Sequence, residues 1–217
     1  MSLGGRLSGS ASGSFGLGTA SVAMDLEVDR SAVPEEPFAP LRTGIAPQDG
    51  DGVTLQPAAL DDVDGDGNAD FQVVAQPELV YGRLVVENAY GPETADLPVA
   101  VTAQRYDGGQ FRLEDRDNAT PLGNPRIALS DPPADGLAGG DSGIAGVNDP
   151  LTAGQGGLVL TAPGVGNFGQ ITVTADALGF LEFDFDNDGS IGDPAGIATF
   201  GRYRGDDRIL YWREVYQ

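Results

Sequence analysis

Apolar and polar residues alternate with a period of two along much of the chain, and windows with apolar residues at i, i+3, i+4 and i+7 are hard to find. Residues Val22 to Val28 alternate well enough to make a half-buried strand within 13–29. Val33 to Leu41, rich in proline, reads as an extended connection. Gly44 to Leu55 reads as a strand, an acidic turn and a second strand. Further strands are predicted at 71–75, 79–87, 97–106, 110–114, 126–130, 157–162, 169–175, 179–185, 196–204 and 207–216, with a turn over 88–93. Regular short strands at this spacing predict an all-β protein built as an immunoglobulin-like β-sandwich, in two packed β subdomains with long loops. The boundary falls near residue 78, giving a flexible start over 1–12, a subdomain over 13–77 and a sandwich over 78–217.

Composition supports many turns rather than helices, since Gly (33) and Pro (15) make about a fifth of the chain. At 217 residues the chain is long enough to bury a real core. With no cysteine, that core must rely on packing, sheet hydrogen bonds and bound ions. The formal net charge is −21, from 33 acids against 12 arginines, without a lysine or histidine. Phosphate backbones would be repelled, which excludes nucleic acid as a partner. The same acidity suits cation binding, secretion or salty surroundings. No apolar run reaches eighteen residues, so no membrane insertion is expected. Met1-Ser2-Leu3 followed by glycine and serine reads as an expression start joined to an excised fragment, which would place any signal peptide out of view.

Missing residue types prune the chemistry further. Without His, Cys or Lys there is no Ser-His-Asp triad, no usual zinc site, no Schiff base and no Walker A loop. Only paired carboxylates of the glycosidase kind are left to an enzyme, and no acid pair outside the acidic turns has such a signature.

Two acidic turns carry the strongest chemical signal. In the first, Asp62, Asp64, Asp66 and Asp70 stand at positions 1, 3, 5 and 9, with Gly67 at the sharp bend of position 6. Asn68 at position 7 would offer its backbone carbonyl. Calcium takes six to eight hard oxygen donors of this kind, whereas close carboxylates without an ion repel by about 1 kcal/mol per pair in water. An EF-hand would need Glu where Val73 stands, so the shorter D-x-D-x-D-G-x-x-D loop of β-rich proteins fits better. The second turn places Asp184, Asp186 and Asp188 at positions 1, 3 and 5, Gly189 at 6 and Ser190 at 7. Position 9 is Gly192, and the nearest acid, Asp193, is displaced by one, which makes this the weaker Ca²⁺ candidate.

Three other stretches have bland and sharp readings. Residues 131–156 read as a long turn-rich connection, mobile by default and a recognition surface otherwise. Arg204-Gly205-Asp206 spells an adhesive tripeptide, but a tight hairpin turn explains it. Tyr203, Tyr211, Trp212 and Tyr216 would suit a sugar-stacking platform or, more commonly, a buried terminal strand.

The C-terminal run Ala198-Thr199-Phe200-Gly201, Tyr203-Arg204-Gly205, Asp207-Arg208-Ile209 and Tyr211 to Tyr216 resembles the ending of the MSHA (mannose-sensitive haemagglutinin) pilus biogenesis protein MshQ family. The likeness extends through Pro40-Leu41, Gly44 to Pro47, Asp51 to Val53, Gly82 to Leu84, Asn88 to Gly91, Leu97 to Val99 and Asp184 to Pro194. The resemblance implies a secreted or cell-surface protein of Gram-negative type tied to a type IV pilus, with other pilus or surface proteins, or glycans, as partners. The expected function is therefore a non-enzymatic, calcium-stabilised module in pilus biogenesis or adhesion. The alternative is a carbohydrate-binding module, and a glycosidase stands behind both.

Overall fold

The computed structural model describes residues 5–16, 19–46, 60–131, 136–137 and 141–201. Among them thirteen strands form: β1 Leu7–Gly16, β2 Thr19–Val28, β3 Thr43–Ile45, β4 Gln72–Ala75, β5 Gly82–Val86, β6 Ala89–Gly91, β7 Leu97–Asp107, β8 Gln110–Leu113, β9 Ile127–Ser130, β10 Ile144–Thr152, β11 Gln155–Leu160, β12 Gly169–Ala175 and β13 Ala195–Phe200. Asn124–Arg126 form a 3₁₀ turn, and no helix among the described residues is long and apolar enough to cross a membrane. The strands sort into two compact units, one of Met1–Tyr81 with Arg105–Arg112, the other of Gly82–Gln104 with Leu113–Gln217.

The larger unit is a β-sandwich. One sheet runs β10-β11-β7-β5, and the other runs β6-β13-β12-β9. Across the first sheet β5, β7, β11 and β10 lie in the order of the A, B, E and D strands of an immunoglobulin domain, and β9, β12 and β13 lie in that of its C, F and G strands, with β6 added beside β13. Chain and sheet agree because β7 alternates strictly, sending Leu97, Val99, Val101 and Ala103 inward. From the opposite sheet Ile171, Val173, Ala175, Ala198 and Phe200 meet them in one core with Leu84, Val86, Leu151, Leu158 and Leu160. Each such valine, leucine, isoleucine or phenylalanine side chain contributes about 1.5–3 kcal/mol by leaving water.

Several expectations needed correction. The turn predicted over 88–93 contains β6, which leaves the sheet of β5 and pairs in parallel with β13 in the other sheet. The connection predicted over 131–156 contains β10 instead of remaining loop throughout. Asn148, Asp149 and Pro150 hide its alternation. An edge strand tolerates them, because a proline there costs little of the ladder, and the register shifts between Asn148 and Thr152. The strand predicted over 179–185 is absent: β12 and β13 pair directly, so the segment between them has no ladder partner beyond one bridge, Phe183 to Gly192. Of the C-terminal hairpin, the first strand is β13; residues 202–217, with Arg204-Gly205-Asp206 and Trp212, lie outside the described residues.

The smaller unit contains the β1–β2 hairpin and the β3–β4 pair. β1 begins at Leu7, inside the stretch read as a flexible start, because its serines and glycines hide a period of two. Arg6 donates to both oxygens of Glu35 at 2.9 and 3.1 Å. Glu36 accepts from the backbone N–H groups of Gly108 and Gly109, both at 2.9 Å, holding the tip of the β7–β8 hairpin. Tyr81 is buried beneath the guanidinium of Arg30, 4.2 Å from its ring centre.

Candidate metal centre

Each acidic turn lies between two residues that close it with a pair of backbone hydrogen bonds. Asp61 and Phe71 exchange them at 2.8 and 3.1 Å around the first loop, and Phe183 and Gly192 at 3.1 and 3.2 Å around the second. Inside these clasps the two loops repeat one another. Position 4 is left-handed in both, at Gly65 (φ 78) and Asn187 (φ 60), and position 6 is again positive, at Gly67 (φ 94) and Gly189 (φ 92). An added Cβ at either position 6 glycine would meet nothing within 4 Å, so the backbone angle, not crowding, requires glycine.

Hydrogen bonds repeat as well. Asp62 accepts from the N–H groups of Gly65 (2.7 Å) and Gly67 (3.1 Å). Its counterpart Asp184 accepts from Asp188 (3.1 Å) and Gly189 (3.0 Å). The aspartate at position 5 accepts the N–H of position 7 at 2.7 Å in each loop, Asn68 to Asp66 and Ser190 to Asp188. The Asn68 side-chain amide adds a bond to Asp66 at 3.0 Å. The backbone and then the side chain of Asn68 hold the exposed Asp66 carboxyl below its ordinary pKa.

The result is two trios of acids, Asp62, Asp64 and Asp66, and Asp184, Asp186 and Asp188, each offering one carboxylate oxygen within 4.8 Å of the others. In both, the first aspartate is half-buried and the other two are exposed. Close carboxylates of this kind can hold a hard cation. Asp70 is exposed and lies outside the first trio. Asp193 also lies outside the second, and its carboxylate accepts the N–H of Ala177 at 2.9 Å. The reason is the clasp: the second loop closes one residue earlier, so Ile191 stands where the first loop has Asp70, and Asp193 falls beyond the closure.

Sequence reasoning missed what holds the second loop. Leu181, buried in the core, accepts the N–H of Leu84 on β5 at 2.9 Å. Next to it on β5, Arg83 donates to the Gln104 side chain at 2.9 Å and lies 5.0 and 5.8 Å from the ring centres of Phe183 and Phe185. Burial lowers the Arg83 pKa, with Glu87 opposing. The two rings meet edge to face at 5.3 Å, which fixes Asp184 between them. Leu181, Phe183 and Phe185 do alternate, yet they serve this anchor rather than a strand.

The fold and its clasped acidic loop define an immunoglobulin-like β-sandwich module. A family described as DUF6701, fourth domain, matches residues 80–215, more than half of the chain, and the chain belongs to that family. The matched span includes the second acidic loop and excludes the first. No curated protein and no solved structure matches the chain.

Proposed function

We propose that this chain is a non-enzymatic, calcium-stabilised β-sandwich module of a secreted or surface protein that serves MSHA-like type IV pilus biogenesis or adhesion. The observation that carries the calcium part is the repetition: two separate stretches with different neighbours fold into loops with the same positive φ positions and three shared carboxylate-to-backbone bonds, from the N–H groups of positions 6, 5 and 7 to the aspartates of positions 1, 3 and 5, and each converges three aspartates within 4.8 Å. Asp62, Asp64 and Asp66, and Asp184, Asp186 and Asp188, would bind the ion, with the carbonyls of Asn68 and Ser190 and water completing the six to eight oxygens calcium takes. Millimolar calcium outside a cell is enough to fill weak sites of this kind. The pilus part rests on the resemblance of residues 198–216 to the MshQ ending.

The test is thermal melting of the purified chain in calcium against chelator. At ten times Kd one ion adds about 1.4 kcal/mol, and for a chain of this length that raises Tm by roughly 3–6 °C. Equal melting in calcium and chelator removes the calcium part. For the pilus part, cells whose gene lacks the segment coding for 80–215 should lose surface pili or adherence, and unchanged piliation with unchanged adherence removes it.

A further inference from the structure

The β1–β2 hairpin is ten residues long on each side and pairs in unbroken register. On one face stand the pairs Leu7 with Val28, Gly9 with Leu26, Ala11 with Met24 and Gly13 with Val22; on the other stand Ser8 with Glu27, Ser10 with Asp25, Ser12 with Ala23 and Ser14 with Ser21. One face is therefore wholly apolar in a chain of net charge −21. It is also smooth, since the Leu26 side chain lies over Gly9 and that of Val22 over Gly13, where an added Cβ would meet them at 2.8 and 3.2 Å. Yet much of this face is open to water: Leu7, Val22 and Leu26 are 42, 46 and 42% exposed, while Met24 and Val28 are half-buried. Among the described residues the two strands form a sheet of their own, with no third strand on either outer edge. Two strands alone are marginal in water. A face this regular needs a cover.

Size decides what covers it. Ten residues at about 3.3 Å each and two strands about 5 Å apart give a face of roughly 300 Å². Two copies stacked face to face would then bury about 600 Å² in total, well short of the roughly 1,200 Å² of a stable interface between free molecules. Within one polypeptide the same contact suffices, because a short linker supplies an effective concentration of about millimolar. The family is the fourth domain of its kind, which puts other domains before it in such polypeptides, and the hairpin precedes the matched span at 80–215. We infer that the apolar face of the β1–β2 hairpin docks onto an apolar sheet face of the preceding domain of the same polypeptide, packed as two sheets.

Hydrogen–deuterium exchange tests this by comparing the 217-residue chain with the full-length polypeptide. The amides of residues 20–28 should exchange at least about tenfold more slowly in the full-length protein. Leu26→Asp should abolish that protection, whereas Ser10→Asp on the polar face should preserve it, and exchange over residues 20–28 left unchanged by either substitution in the 217-residue chain verifies that the hairpin remains folded. Equal exchange in the two proteins overturns the inference, as does a full-length polypeptide with no domain before the hairpin. A doubled mass by light scattering for the 217-residue chain, reversed by Leu26→Asp, also overturns it in favour of a second copy.

Discussion

Asp184 and Asp193 are nine residues apart and both bind backbone N–H groups, but they do different things. Asp184 holds Asp188 and Gly189 inside the loop and contributes an oxygen to the trio, whereas Asp193 holds Ala177 outside it. Replacing either with alanine removes hydrogen bonds worth about 0.5–1.5 kcal/mol each. The variants should therefore differ in their response to calcium. Asp184→Ala, which loses two such bonds, should melt lower and lose the second loop's share of the calcium-induced rise, while Asp193→Ala, which loses one, should melt lower by less and keep the whole rise. Paired melts of both variants in calcium and chelator measure this, and an Asp193→Ala variant that loses the calcium response would return Asp193 to the ligand set.

Among the elements, the loops were legible in the sequence because their determinants lie within nine residues: aspartates at alternate positions and a glycine at the bend are local facts. What stayed hidden was set by partners distant in the chain. The early closure at Gly192, the anchor of Phe183 and Phe185 on Arg83, the crossing of β6 to β13, and β10 along the sheet edge all depend on a neighbour more than eight residues away. The inward stripe of β7 was plain for the opposite reason, since its own alternation carries it. Glycine at position 6 gives a test at this scale. Gly189 has φ 92 with no atom in the way of a Cβ, whereas Gly192 has equal room and no positive φ. Gly189→Ala should therefore cost about 1–2 kcal/mol in denaturant melts, through backbone strain alone. Gly192→Ala should be near neutral, and equal losses from the two would show that the bend does not depend on the left-handed angle.

The whole molecule bears 21 uncompensated negative charges, and each trio gathers three of its 33 acids within 4.8 Å. Such a surplus works against the compact state, because folding brings like charges closer. Salt screens this repulsion, with a Debye length that shrinks from about 30 Å at 0.01 M to about 3 Å at 1 M. Two calcium ions would offset four of the charges where they are most crowded. In chelator, Tm should rise steadily as sodium chloride goes from low to molar concentration. In saturating calcium the rise should be distinctly shallower, since the worst contacts are already neutralised and screening also weakens the hold on the ion. Scanning calorimetry across a salt series in both conditions would settle the sign. Two parallel curves would mean that the repulsion is spread over the surface and that the trios take no special share of it, which would separate the acidity of this chain from its loops.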